Sequence, residues 1–121
     1  MARILVLDDL DDIRHPVFRR RLSEHQLTCV TTAVAAMAAL DVETFDVLHL
    51  DHDLGEWYKD ETGQPRERTG MTVVDHLLQQ VPKERWPSKV IVHSWNTNRS
   101  RRMVEALNAA GIHAVYQPFT A

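Results

Sequence analysis

The chain has 121 residues, enough for one domain with a single ordinary core. Apolar residues make up 44% of it and charged residues 26%, which excludes a disordered or fibrous protein. With 14 basic against 17 acidic residues the net charge is −3, so a whole-molecule basic surface for nucleic acid is absent, though a local basic patch is compatible with it.

The lone cysteine, Cys29, lies in the run Leu27-Thr28-Cys29-Val30 and reads as a buried structural thiol. It has no partner for a disulfide within the chain, which suits a reducing compartment. Met-Ala-Arg is followed by only the short apolar run Ile4–Leu7, too brief for a signal-peptide core or a membrane span. A cytoplasmic protein is the expectation.

Arg3 to Leu7 reads as a buried strand, continuously apolar as parallel strands are. Asp8 to Asp12 is an acidic turn in which Asp11 or Asp12 could cap a helix, and Pro16 suits that helix's first turn. Ile13, Val17, Phe18 and Leu22 then recur at helical spacing, with Arg19, Arg20 and Arg21 towards solvent. Leu27 to Thr31 is a second strand and the alanine-rich Ala33 to Leu40 a helix. Asp46 to Asp51 is a central strand. Residues 54–70 are polar, contain Gly63, Pro65 and Gly70, and read as a long loop insertion, a length compact domains keep for function or leave disordered.

Met71 to Val81 resumes as a helix with Val73, Val74, Leu77 and Leu78 inward. Pro82 and Pro87 bracket a linker, and Lys89 to His93 is a fourth strand. Ser100 could cap a helix running to Ala110, stopped by Gly111, before a last strand from Ile112 to Tyr116. The alternation predicts an α/β fold, a doubly wound five-stranded parallel sheet. Right-handed crossovers bring every strand's carboxyl end to one edge, where such sheets bind ligands. Asp8-Asp9, Asp51-His52-Asp53 and His93-Ser94-Trp95-Asn96 all fall at that edge.

These motifs resemble the receiver domain of response regulators: an acidic pair after the first strand, Asp51 after the third, Ser94 after the fourth and Gln117-Pro118-Phe119 after the fifth. The resemblance implies the receiver (flavodoxin-like) architecture in one domain, 1–121. The chain departs from it in four ways. Gln117 stands where a receiver carries a lysine, and only Phe119, Thr120 and Ala121 follow the proline, so the last helix is expected to be lacking. The 54–70 segment is longer, and His52 and His93 are added. Leu50-Asp51-His52-Asp53-Leu54-Gly55, Thr69-Gly70-Met71-Thr72 and His93-Ser94-Trp95-Asn96 are similar to a narrower group, the cyclic-phosphate processing receiver domains. That resemblance implies a cyclic or terminal phosphate of a nucleotide or RNA as substrate.

Chemically, Asp8, Asp9 and Asp51 at one edge would repel each other unless a cation sits among them. Mg²⁺ suits carboxylates, waters and a phosphate, with Mn²⁺ or Zn²⁺ as alternatives if the histidines ligate. Asp53 reads equally as a fourth ligand or as a turn former before Gly55. His52 and His93 could move protons in phosphodiester hydrolysis, bind a softer metal, or serve as hydrogen-bonded strand ends. Ser94 and Asn96 could hold phosphate oxygens, with Arg99 at a helix start strengthening an anion site or lying in an ordinary solvated turn. Trp57 and Tyr58 could stack on a base or anchor the 54–70 segment, and His49 reads as a satisfied core histidine.

Two function classes therefore stand beside a third. One is a metal-dependent phosphoesterase with catalytic Asp51, His52 and His93. Another is an atypical receiver phosphorylated at Asp51, against which Gln117 counts. The third is a module that binds a nucleotide or protein without catalysis.

Overall fold

In the computed structural model, which describes residues 1–120, the elements run β1 (Arg3–Leu7), α1 (His15–Arg21), β2 (Gln26–Val30), α2 (Ala33–Val42) and β3 (Val47–Leu50). They continue as β4 (Glu56–Lys59), β5 (Pro65–Arg68), α3 (Gly70–Gln80), β6 (Lys89–Val92), α4 (Thr97–Ala109) and β7 (His113–Tyr116). The expected five-stranded parallel sheet is present, in the order β2-β1-β3-β6-β7. The chain reverses its direction of winding between β1 and β3, so the crevice used by open α/β sheets lies at their carboxyl ends.

Side chains alternate between the sheet's two faces. Leu5, Leu7, Leu48, Leu50, Val90 and Val92 are fully buried beneath α2, α3 and α4. Ile4 and Val6 face α1, where Phe18 and Phe119 complete a smaller cluster. Four α-helices are present among the described residues. After β7 the chain stays extended alongside β6: Gln117 N–H donates to Val92 O and Phe119 N–H to His93 O. Among the described residues no helix is long and apolar enough to cross a membrane.

Three expectations are corrected. Neither Asp11 nor Asp12 caps α1; the helix starts later, at His15, where Pro16 fits the first positions. The Leu10 carbonyl accepts from Ile13 and Arg14 N–H, so this stretch is a turn and Ile13 is left exposed. Ser100 does not cap α4. Asn96 does, accepting from Arg99 N–H at 3.3 Å, and Ser100 is buried with its hydroxyl donating to Ser94 O. The third correction concerns His49. It packs edge-on against Phe18, yet its Nδ1 is buried without a partner. Burial, then the charges of His93 and Lys89, push its pKa down to about 4.

Residues 54–70 are not an irregular loop but contain an antiparallel hairpin, β4 with β5. The Asp60 carboxylate holds its turn, accepting from Thr62 and Gln64 N–H, the Thr62 hydroxyl and Arg66 Nε. Those bonds, Thr62's first, draw its pKa down to about 2. At the hairpin base, Glu56 accepts from Ala33 N–H at 2.6 Å and Val34 N–H at 3.4 Å. A carboxylate on the free N–H groups of α2 is favourably placed against the helix dipole.

The start of α3 is fixed from two directions. Thr69 accepts from Met71 N–H while Thr72 accepts from Thr69 N–H, and Gly70 N–H donates to His52 O at 2.9 Å. Gly70 is required by space: a Cβ there would lie 2.1 Å from the Asp51 carbonyl oxygen and 2.7 Å from Met103 Cε. The backbone oxygen cannot swing aside as a side chain would. Gly70→Ala is therefore expected to lower stability by about 2–3 kcal/mol, read as a lower urea midpoint at unchanged slope. An unchanged midpoint would contradict this packing.

Candidate functional site

Asp8, at the end of β1, is fully buried and has both oxygens engaged. Oδ1 accepts from Leu10 N–H at 2.9 Å, and Oδ2 from Arg14 Nη1 at 3.1 Å and His93 Nε2 at 2.8 Å. A carboxylate only accepts, so the His93 proton sits on Nε2. The Asp8 carbonyl likewise meets His15 Nε2 at 2.8 Å. Burial opposes the charge on Asp8, but the bonds from His93, Leu10 and Arg14 outweigh it and hold the pKa below the usual value.

Asp51 ends β3 beside it. Its N–H donates to Leu7 O, its Oδ1 accepts from His52 N–H, and its Oδ2 lies 3.8 Å from Arg14 Nη1. Here burial wins: it lifts the Asp51 pKa to about 6, against the pull of His93 and Arg14. Asp9 is half-buried and also raised, by burial and then by the neighbouring charge of Asp8, with the Asp51 carboxyl within hydrogen-bonding reach. Three carboxylates thus face one guanidinium and one imidazole. Asp8, Asp51 and His93 offer ligand atoms within 4.8 Å of one another.

A cavity of about 250 Å³ opens onto this group, lined by Asp9, Arg14, Asp51, Asp53, Ser94 and Asn96, with exposed Trp95 on its wall. Ser94 Oγ accepts from Asn96 N–H at 3.2 Å, and Asn96 Nδ2 points at both Asp53 oxygens at 3.4 Å. Of the residues named from the sequence, the structure brings Asp9, Asp51, Asp53, Ser94 and Asn96 to the cavity and sets Asp8 behind it. His93 is buried and turned onto Asp8. His52 is buried too, its Nδ1 2.6 Å from Asp53 Oδ1 at the rim. Arg99 is exposed on the first turn of α4, outside the cavity lining.

Arg14 escaped the sequence reading. Its guanidinium is buried, paired with Asp8 and near Asp51, and packed 5.0 Å from the Trp95 ring centre and 4.9 Å from that of Phe119. A single basic residue inside an acidic strand-end loop was the available signal.

The model of the family described as the cyclic-phosphate processing Receiver domain matches residues 3–109. The chain belongs to this family. No curated protein matches it. Its fold is that of solved receivers. Response regulator TrrA from Thermotoga maritima, in complex with Mg²⁺ and BeF, is 19% identical with a TM-score of 0.69, over 99% of this chain and 88% of that one. A CheY-like receiver domain from Methylobacillus flagellatus is 16% identical with a TM-score of 0.68, over 99% and 89%. Vibrio cholerae CheY4 is 20% identical with a TM-score of 0.65, over 99% and 89%.

In this receiver domain Gln117 is exposed and lies outside the cavity lining. A positive charge does reach the cavity from the β1–α1 turn, that of the Arg14 guanidinium. The donor set fits a hard divalent cation: Asp9 and Asp51 line the cavity with carboxylates, and both are held above their usual pKa by burial first and then by the neighbouring charge of Asp8.

The raised Asp51 pKa has a direct consequence in metal-free protein. The folded carboxyl takes its proton near pH 6, whereas the unfolded one does so near 3.8. Its contribution to stability is therefore greatest at low pH and is lost as pH rises through 6. Asp51→Asn is expected to stabilise metal-free protein above pH 6 by about 2–3 kcal/mol, a gain that vanishes by about pH 4. Urea unfolding across that range measures it; a gain independent of pH would contradict the assignment.

Proposed function

We propose that this domain handles phosphoryl groups in the response-regulator manner, with a divalent cation and with Asp51 as the accepting group. The observation that carries the reading is the Arg14 guanidinium, buried between Asp8 and Asp51 at the cavity. It answers the objection raised by Gln117, because a fixed cation is present after all. Asp9 and Asp51, backed by Asp8, would hold the cation, with Mg²⁺ the best match; bound there, it would offset the charge of the phosphoryl oxygens.

The chain's own groups supply the rest. One Asp51 oxygen attacks phosphorus in line, forming a carboxyl–phosphate bond as the donor's P–O or P–N bond breaks and its electron pair leaves with the donor. Arg14 stays in place as charge moves, so no reorganisation is needed at that moment. The Ser94 hydroxyl lines the same cavity and can donate to a phosphoryl oxygen. His93 holds Asp8, and through it the guanidinium. The single free thiol, Cys29, accords with a cytoplasmic setting.

A second reading has its own support. The family's description names cyclic-phosphate processing, and the His52–Asp53 pair at the rim is a carboxylate-oriented imidazole of the kind that moves protons. On that reading the substrate is a cyclic or terminal phosphate of a nucleotide or RNA.

One experiment separates the two. Purified protein is incubated with acetyl phosphate and Mg²⁺, and intact mass is measured. The first reading predicts a phosphoryl adduct that is absent in Asp51→Asn and formed about 10- to 100-fold more slowly in Arg14→Met. In parallel, 2′,3′-cyclic nucleotides are tested with Mg²⁺, Mn²⁺ or Zn²⁺. Ring opening that is lost in His52→Ala, without any adduct, would replace the first reading with the second. Neither signal would leave a binding module.

A further inference from the structure

We propose that Trp95 is a base-stacking platform and that the cavity's ligand is accordingly a nucleoside phosphate. The inference rests on the cavity taking a phosphate, as both readings above require. It adds the part of the ligand that the cavity does not enclose.

Trp95 is 68% exposed, a large apolar surface to leave in water beside a polar cavity. It is nevertheless held in place. Its indole N–H donates to Phe119 O at 2.9 Å, and the Arg14 guanidinium stacks on one side at 5.0 Å from the ring centre. The same Arg14 lies 4.9 Å from the Phe119 ring and is anchored by Asp8. One indole face is therefore backed by protein while the edge is fixed by a hydrogen bond, and the other face is left for a ligand. A ring held this way loses little freedom when something stacks on it, which is the property that makes a rigid aromatic an effective contact.

Size points the same way. A cavity of about 250 Å³ lined by Asp9, Asp51, Ser94 and Asn96 has room for a phosphoryl group and part of a sugar. Trp95 is part of the lining, so a group attached to that sugar lies within reach of the indole. A flat heteroaromatic base matches the exposed indole face to face. Stacking accepts any base, so the contact favours nucleosides as a class rather than one of them.

The other exposed aromatics are worse placed. Trp57 is on the hairpin outside the cavity lining, and the Tyr58 ring already carries Arg68, 3.8 Å from its centre. Of the stacking residues expected from the sequence, neither lies at the cavity; Trp95, not singled out there, does.

The test compares binding of adenosine 5′-monophosphate and ribose 5-phosphate by calorimetry in Mg²⁺. Wild-type protein, Trp95→Tyr and Trp95→Leu are used, each first checked for an unchanged fold. The wild type is expected to bind the nucleotide about 5- to 100-fold more tightly than the sugar phosphate. Trp95→Tyr should keep most of that ratio and Trp95→Leu should bring it to about one. A wild-type ratio of one, or a ratio that survives in Trp95→Leu, overturns the platform while leaving the phosphate site standing. Failure of both adenosine 5′-monophosphate and ribose 5-phosphate to bind overturns the phosphate reading and the platform with it.

Discussion

A carboxylate with no access to water organises this molecule's functional edge. Asp8 could not be buried alone, and the groups that compensate it come from three separate places: the Leu10 N–H of its own turn, the Arg14 guanidinium just ahead of α1, and the His93 imidazole at the end of β6. Satisfying one charge therefore ties together the β1–α1 turn, the entry to α1 and the far side of β3. The Asp8 carbonyl adds His15 to the same knot. Removing a partner from such a group is costly because the remaining charge stays buried.

That compensation does not extend to the neighbouring carboxylates. Asp51 and Asp9 share the edge with Asp8 but not its full set of donors, so burial lifts both of them. A scaffold interested only in stability would place apolar or amide groups there. The surplus negative charge beside a small open cavity fits a hard cation and, with it, a phosphate. Arg14 brings a positive charge to the cavity from the opposite end of the chain to Gln117, which lies outside the lining. The backbone is held to the same end: Gly70 lets α3 approach the Asp51 carbonyl, so the residue that would meet phosphorus is buttressed by a helix start.

The five parallel strands were legible because each is an apolar run that ends in polar groups, and parallel strands buried on both faces have few alternatives. The strand-end rule then brought Asp9, Asp51, Asp53, Ser94 and Asn96 to one cavity without any knowledge of contacts. The hairpin was not legible. Glu56-Trp57-Tyr58-Lys59 and Pro65-Arg66-Glu67-Arg68 are polar on both faces, and what holds them is the Asp60 turn and the reach of Glu56 to α2, neither of which has a periodic signature. Arg14 was missed for a related reason. Its role arises from a turn at Leu10 that delays α1, whereas the spacing of Ile13, Val17 and Phe18 suggested a helix already under way. His49 was read as satisfied because its position is interior, but position does not reveal a partner, and its Nδ1 has none.

The central claim is that uncompensated carboxylates at this edge call for a divalent cation, and Mg²⁺-dependent stability tests it most directly. Urea unfolding at pH 7.5 would be followed from metal-free buffer to about 10 mM Mg²⁺, with Asp9→Asn alongside and NaCl controls at matched ionic strength. The account predicts stabilisation that grows with the logarithm of Mg²⁺ once the site fills and is strongly reduced in the variant. Stability indifferent to Mg²⁺, or equal stabilisation of wild type and Asp9→Asn, would contradict it.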